Sequence, residues 1–291
     1  MPRKDGKRFK GTDMMYTIAP HIMDKRCDAC NSLTVYIPYE PMHDYIVKKR
    51  AEGIRMSHMS LIISAYVRTV AKFPAVNRFV VNKRIYSRND LIVAMVVQRA
   101  VDAQSTMAKL SFELTDTIFD VNDKINSFID ANRQEDSNKT DDIMRKLTKF
   151  AFLLGPVVSL LKWLDKHGLL PKAVIDASPF HTSMVISNLA SIRTNHIFHH
   201  IYDFGTVGQI ITLGNSELRP TTKKGEVVFE RNMPLGVVCD ERIASGGYYA
   251  KCFHEMERYL ANPELLEAPP EVVNTDFKNV SPSLTARAFC F

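Results

Sequence analysis

Apolar positions along the chain predict three amphipathic helices. From Ser57 the apolar residues recur at i, i+3, i+4 and i+7, and Phe73-Pro74 ends this pattern. The same spacing returns at residues 118–129 and again from Gly246 to Asn262-Pro263. Each of these stretches has one apolar face, so each is predicted to cover a flat apolar surface such as one side of a sheet.

Strand patterns lie between these helices. Residues 79–81 and 84–86 form a predicted hairpin, with Asn82-Lys83 as its turn. Lys224-Gly225 is predicted as a turn between the strands at 209–213 and 227–230. The β-branched and apolar runs predict strands at 91–97, 184–187, 209–213, 227–230 and 234–239. Because strands and helices mingle along the whole chain, the pattern predicts a layered α/β sandwich.

Segment 143–170 is dense in apolar residues but is interrupted by Gly155-Pro156 and Lys162. No window reaches about 18 uninterrupted apolar residues, so a membrane-spanning helix is excluded. A kinked helical pair, packed on the body or at a subunit contact, is predicted, and an anchor on a membrane surface is the alternative. The polar residues 132–142 before it predict an exposed loop.

The chain has 291 residues, 45% hydrophobic, with a formal net charge of +6. This length fits two domains or one large α/β domain. The surplus of positive charge suits an anionic partner such as a phosphate-bearing cofactor, whereas no nucleic-acid-binding signature is present. Five of the bases lie within the first ten residues, which predicts a solvated tail and a folded body closer to neutrality.

The five cysteines are scattered and odd in number. With no apolar signal core near the start, they are interpreted as reduced thiols of a cytoplasmic protein. Cys27 and Cys30 form a Cys-x-x-Cys within an apparent first helix, where they are interpreted as residues of a helix face. No zinc-type spacing pair occurs, so no metal site is predicted.

Two segments together resemble a known family. Residues 183–189 read Ser-Met-Val-Ile-Ser-Asn-Leu and precede the strand at 209–213, while residues 240–246 read Asp-Glu-Arg-Ile-Ala-Ser-Gly before the last helix. Two earlier segments fit the same family: the end of a helix at 72–77, Lys-Phe-Pro-Ala-Val-Asn, and the strand that contains Ile37-Pro38. The set resembles the catalytic domain of the 2-oxo acid dehydrogenase dihydrolipoyl acyltransferases, relatives of chloramphenicol acetyltransferase.

This resemblance implies a two-layer sandwich of a mixed β-sheet and helices, assembled as a homotrimer or larger homo-oligomer. It covers roughly residues 15–266 as a single domain, with 133–178 as an insertion, a basic tail at 1–14 and a C-terminal tail at 267–291. It also implies coenzyme A as a substrate. No lipoyl domain precedes residue 15, so no bound lipoyl group is expected.

In that family a histidine within Asp-His-Arg-x-x-Asp/Asn-Gly takes the proton from the substrate thiol, and a strand serine holds the oxyanion. By resemblance, Ser187 is this serine. Asp240, Arg242 and Gly246 match the corresponding positions of the signature, where they have a structural role. Asp240 and Arg242 are expected to form a structural ion pair. However, Glu241 occupies the histidine position, and Ser245 replaces the second Asp/Asn. Ser187 could instead be a strand serine bonded to the backbone.

The replacement changes the proton chemistry. A thiol has a pKa of about 8.5 and an ordinary glutamate one of about 4.3, so the transfer is uphill by roughly 5–6 kcal/mol. A glutamate approaches the useful range only when burial raises its pKa. His199 and His200, after the Ser187 strand, are the alternative bases, although a structural hydrogen-bonding role is also open to them; His181 and His196 are weaker candidates.

Two functions therefore remain open. The first is an acyltransferase that moves an acyl group between coenzyme A and an acceptor, with Ser187 on the carbonyl oxygen and Glu241 or His200 managing the proton. The second is a catalytically degenerate scaffold or interaction module of the same fold. A membrane-surface protein using residues 150–164 ranks third. No nucleic acid and no membrane partner is expected.

Overall fold

The sheet at the centre of the structure is mixed, as the resemblance implies. The structure, a computed structural model, describes residues 2–10, 14–98, 105–132, 151–277 and 279–280. Within them the main sheet has the strand order β2-β10-β8-β7-β5-β6, and β9 pairs with β10 outside this order. Strand β7 runs parallel to β5 and β8, and the other pairs are antiparallel. The strands of this sheet are β2 Cys30–Pro38, β5 Leu91–Gln98, β6 Ser105–Phe112, β7 Met184–Asn188, β8 Gln209–Leu213, β9 Glu217–Lys223 and β10 Glu226–Asp240.

A smaller sheet, in the order β1-β4-β3, lies beside it, and a two-residue pair, β11-β12, lies near the end of the described chain. These strands are β1 Gly6–Arg8, β3 Arg78–Val81, β4 Arg84–Arg88, β11 Val273–Asn274 and β12 Asn279–Val280. The predicted hairpin is confirmed as β3-β4, and its turn residues Asn82 and Lys83 both have positive φ. That geometry matches the twist of the two strands.

The described residues form seven α-helices. They are α1 Met14–Ile22, α2 Tyr39–Ala51, α3 His58–Lys72, α4 Ile118–Asn132, α5 Ala151–Lys166, α6 Lys172–Ala177 and α7 Gly246–Ala261. The three predicted helices are confirmed as α3, α4 and α7. Ser57 caps α3 by accepting a hydrogen bond from the backbone N–H of Ser60, and Phe73-Pro74 follows its end, because proline cannot supply the next backbone donor.

Alternate strand residues point to opposite faces, and this divides the core in two. The larger cluster joins α2, α3, α4 and α7 to the sheet residues Met184, Ile186, Ile211 and Leu213. The smaller cluster lies on the other face, where Val185 and Ile210 pack against Ile201 and Val207. The connection 194–208 crosses this second face. The short helix α6 also lies there, because Lys109, the strand partner of Ala94, donates to the carbonyl oxygens of Ile175 and Ser178.

Several expectations are wrong in detail. The segment predicted as a solvated tail contains β1, which pairs with β4, and its Arg3 is buried between Asp5 and Asp165. Cys27 lies in a short 3-10 turn and Cys30 begins β2, so neither is on an α-helix. Both thiols are free.

Two strand predictions also need correction. The turn at Lys224-Gly225 joins β9 to β10, so the strand before it is Glu217–Lys223, which the sequence pattern did not predict. The strands predicted at 227–230 and 234–239 are one strand of 15 residues. Helix α5 likewise runs through Gly155-Pro156 without the predicted interruption.

Residues 133–150 lie outside the described chain, and with them most of the predicted loop at 132–142 and part of the predicted insertion. Among the described residues, no helix is long and apolar enough to cross a bilayer.

Candidate active site

Ser187 lies near the carboxyl end of β7, on the face that the connection 194–208 crosses. Its Cα partners are Val96 in β5 and Thr212 in β8, and Thr212 is in turn paired with Gly236 of β10. Because Ser187 alternates with the buried Ile186, its side chain shares the face of Val185. The residue is half-buried, and its hydroxyl makes no hydrogen bond with any described residue. Within the described residues it is therefore not a strand serine bonded to the backbone.

The connection 194–208 begins over the strand row that holds Ser187. Thr212 Oγ1 accepts from the backbone N–H of Ile197 at 3.0 Å and donates to its carbonyl at 2.6 Å. A Cβ on Gly236 would lie 2.5 Å from that carbonyl oxygen, so only glycine lets the connection approach this closely. His196 Nε2 lies 3.0 Å from Thr34 Oγ1. The side chain of His196 is thus held against the sheet.

His199 and His200 follow on the same connection. Their rings stack with centroids 4.6 Å apart, and both meet the ring of Tyr202 edge-on. His199 Nδ1 lies 2.9 Å from the carbonyl oxygen of His200. His199 is half-buried and His200 is exposed. Since this connection starts over Thr212, the pair lies on the same face as Ser187.

The far end of the connection is fixed by Arg26. Its guanidinium donates to the carbonyl oxygens of Tyr202 at 2.7 Å and Gly205 at 3.0 Å, and it lies 3.4 Å from the Asp240 carboxylate. Burial lowers the pKa of Arg26, and the charge of Asp240 opposes that effect. Nothing local in the sequence indicates this role, because the acceptors come from distant segments.

Asp240 and Arg242 form the predicted ion pair at the end of β10. Arg242 Nε and Nη2 donate to the two carboxylate oxygens at 2.8 and 2.7 Å, and its backbone N–H adds a third bond. Burial of Arg242 is outweighed by these bonds and by the charge of Asp240, so the pKa of Arg242 is raised. The pair is almost completely buried. It shapes the turn between β10 and α7.

Glu241 extends from this turn, half-buried. Its carboxylate accepts a hydrogen bond from the side-chain amide of Asn31, and its backbone N–H donates to the Ala29 carbonyl at 2.9 Å. Ser245 caps α7 by accepting from the Tyr248 backbone N–H at 3.3 Å. Gly246 is exposed, and a Cβ there would meet nothing within 4 Å, so no steric demand for glycine exists within one chain.

Ser187 and Glu241 are not brought together within one chain. The register places Ser187 level with Gly236, two strands from β10, whereas Glu241 lies five residues further along that chain. At about 3.3 Å per residue and 4.8 Å per strand, the two side chains stand roughly 20 Å apart. The other candidate residues, His199 and His200, lie on the connection between these two ends. His181 is buried, and its Nε2 lies 3.4 Å from the Asp165 carboxylate.

A basic cleft of about 430 Å³ opens beside the Asp240–Arg242 pair. Its lining carries six basic and three acidic side chains, a net charge of about +3. The bases are Lys25, Arg26, Lys83, Lys162, Lys166 and Arg242, and the acids are Asp24, Asp165 and Asp203. This cleft is the part of the site suited to phosphate groups. Among the described residues, no cluster of His, Cys, Asp or Glu could hold a metal ion.

Comparison with known proteins confirms the resemblance. The fold is similar to that of a probable dihydrolipoamide acetyltransferase from Listeria monocytogenes 4b F2365, at 11% identity over 88% of this chain and 94% of that one, with a TM-score of 0.55. A solved chloramphenicol acetyltransferase gives 10% identity, 88% and 99% coverage and a TM-score of 0.56. The structure therefore has the acyltransferase fold of chloramphenicol acetyltransferase and its relatives.

The sequence match points to one branch of that class. Residues 181–268 match the family model of the 2-oxoacid dehydrogenases acyltransferase (catalytic domain). The cubic core of the pyruvate dehydrogenase multienzyme complex is similar in fold, at 11% identity over 86% of this chain and 87% of that one, with a TM-score of 0.56. No curated protein sequence matches the chain. The matched segment includes Ser187 and the turn from Asp240 to Gly246.

Proposed function

We propose that the protein is a homo-oligomeric acyltransferase core that moves an acyl group between coenzyme A and a second acceptor. The observation that carries this proposal is the hydroxyl of Ser187. It is half-buried, has no hydrogen-bond partner among the described residues, and lies within the segment that matches the acyltransferase family model. A hydroxyl so placed can donate to the oxygen of a reacting carbonyl, where negative charge develops during acyl transfer.

A second copy of the chain would complete the site. Because Ser187 and Glu241 of one chain are roughly 20 Å apart, they could act on one substrate only if different subunits supplied them. Exposed apolar side chains surround the Ser187 row, and such groups are typical of interfaces: Ile192 is 54% exposed, Ile197 47% and Phe198 48%. The similar pyruvate dehydrogenase structure is a cubic core, which is also an assembly.

The residues have distinct roles in this proposal. Ser187 stabilises the oxyanion, and the basic cleft beside Arg242 attracts the phosphates of coenzyme A. Glu241 of the neighbouring subunit, or His199 or His200, accepts the thiol proton. Asp240 is a positioning residue, because its ion pair with Arg242 holds the turn that presents Glu241. Arg242 has this role too and also lines the basic cleft.

Acyl transfer from acetyl-coenzyme A to dihydrolipoamide, followed by chromatographic detection of free coenzyme A, tests the proposal. We expect Ser187→Ala to lower kcat by about 10²–10³-fold with unchanged circular dichroism, since it removes one oxyanion donor. Ser32→Ala, at an exposed position of β2, is the matched control and is expected to keep full activity. Glu241→Gln, His199→Gln and His200→Gln identify the base. Wild-type protein that binds no coenzyme A at millimolar concentration would contradict the proposal.

One observation favours the alternative, a catalytically degenerate scaffold of the same fold. The Glu241 carboxylate is engaged by Asn31, an arrangement that fixes a loop as well as it prepares a base. A scaffold predicts a stable oligomer with no acyl transfer, and Glu241→His would leave it inactive. Transfer gained by Glu241→His would show instead that the rest of the pocket is intact.

A further inference from the structure

A second cavity lies on the helical face of the sheet, opposite the face of Ser187. It has a volume of about 660 Å³ and is bounded by α2, the start of α3, α4 and the carboxyl ends of β5 and β7. Small-molecule sites commonly fall between about 300 and 1,000 Å³. Asn188 reaches this cavity, and since it alternates with Ser187 along β7, the two side chains point to opposite faces. The cavity therefore lies mainly on the face opposite Ser187, and Val96, the strand partner of Ser187, also contributes to its lining.

One part of the cavity is apolar and adaptable. Met56 and Met95 are almost completely buried at its base. Methionine side chains are flexible and polarisable, so they fit ligands of different shape. The apolar lining includes Ile46, Met56, Met59, Met95, Ile125 and Ile129. This surface suits a hydrocarbon chain or an aromatic ring rather than a compact inorganic ion.

The other part of the cavity is cationic. Arg50 lines it, is exposed, and its guanidinium has no hydrogen bond or ion pair in the part of the chain that the structure describes. The rings of His43 and His58 each stack on Tyr39, with centroids 5.4 and 5.2 Å away. His58 Nε2 is buried and has no hydrogen-bond partner among the described residues. None of the described residues that line the cavity is an aspartate or a glutamate.

Together these features indicate the class of ligand that the cavity would bind. An unpaired guanidinium presents two parallel N–H donors, a geometry that matches a carboxylate. The His58 Nε2 atom, without a partner among the described residues, supplies a further polar contact. No acid among the described lining residues offsets the charge of Arg50. We propose that this cavity binds an amphipathic carboxylate, with its hydrocarbon body on the methionine and isoleucine side chains and its carboxylate between Arg50 and His58. This binding does not depend on acyl transfer.

Isothermal titration calorimetry of the full chain with octanoate tests this inference. We expect saturable one-to-one binding, and we expect Arg50→Gln to weaken it by about tenfold or more, because the ion pair with the carboxylate is lost. Lys48→Gln is the matched control: it removes the same charge from the same helix, but Lys48 does not line the cavity, so affinity should change less than about twofold.

Two further comparisons make the test decisive. Octan-1-ol has the same chain without the charge and is expected to bind at least about tenfold more weakly than octanoate. Met59→Trp, which enlarges a lining side chain, is expected to abolish binding, with thermal unfolding as the check that the variant folds. Equal binding of octanol and octanoate, or unchanged binding by Arg50→Gln, would overturn the proposal. Absence of octanoate binding at about 10 mM, which corresponds to a binding free energy weaker than roughly −3 kcal/mol, would overturn it too.

Discussion

The guanidinium group of Arg26 joins segments that lie far apart in the sequence. It contacts the connection at Tyr202 and Gly205, the carbonyl oxygen of Val80 in the β3–β4 hairpin, and the carboxylate of Asp240. All of these acceptors have lost water through folding, so leaving them without a donor would be costly. A single side chain thus fixes the turn that carries Glu241.

We expect Arg26→Met to lower the free energy of unfolding by about 3–5 kcal/mol, since it removes the donor from buried carbonyl groups and leaves Asp240 with Arg242 alone. Urea denaturation followed by circular dichroism measures the loss. Lys25→Met removes a charge from the exposed neighbouring residue and should change stability by less than about 0.5 kcal/mol. Equal losses in the two variants would contradict the role assigned to Arg26.

At the residue scale, contacts between residues close in the sequence could be predicted, whereas contacts between distant residues could not. Asp240 and Arg242 are two residues apart, so their ion pair was predictable. Arg26 lies more than 200 residues before Asp240, and its other acceptors are backbone carbonyls, which carry no residue type that a pattern could show. The bonding state of the Ser187 hydroxyl could not be predicted either, because a serine in a strand can bond to a neighbouring carbonyl or leave its hydroxyl free.

Among the secondary-structure elements, β1 shows how a basic segment becomes part of the fold. Gly6 lies so close to the β3–β4 hairpin that a Cβ would stand 2.8 Å from the ring of Phe79 and 2.8 Å from the carbonyl oxygen of Ser87. Arg3 continues the contact, with its guanidinium 5.4 Å from the centre of the same ring. The absence of a side chain at position 6 therefore lets the strand pair.

We expect Gly6→Ala to displace β1 and to destabilise the protein by about 1–3 kcal/mol, because the added methyl group would overlap the hairpin. Thermal unfolding and the rate of tryptic cleavage after Lys7 and Arg8 report the change. Gly155→Ala makes the same substitution in α5, where nothing lies within 4 Å, and should be neutral or stabilise by up to about 1 kcal/mol. Unchanged cleavage in Gly6→Ala would refute the packing argument.

The elements predicted correctly have strong periodicity and clear ends. Helix α3 has an apolar stripe between Ser57 and Pro74, and the β3–β4 hairpin has a turn that its strands require. Strand β9 was missed because it lacks alternation toward a core: Leu218 is 60% exposed, and Phe229, on the neighbouring strand, is 67% exposed. The hydrophobic pattern depends on burial within one chain, so a hairpin with both faces exposed shows little alternation.

On the scale of the whole molecule, the two faces of the sheet are covered to different extents. Four helices pack on one face, while only the connection 194–208 and the short helix α6 lie on the other within the described chain, where Ile197 and Phe198 remain about half exposed. The order of segments along the chain was sufficient to predict the fold class. It could not predict the distance between Ser187 and Glu241, because that distance follows from strand order and register, which no local pattern encodes.

The separation of Ser187 from Glu241 also has a genetic consequence. Suppose each reaction centre draws its serine from one chain and its base from the next, and two inactive variants, Ser187→Ala and Glu241→Gln, are co-expressed in equal amounts. Random mixing then restores about one quarter of the centres, because each variant supplies the group that the other lacks. If a histidine proves to be the base, its variant replaces Glu241→Gln. Centres contained within one polypeptide would recover nothing, so co-expression distinguishes shared from self-contained chemistry.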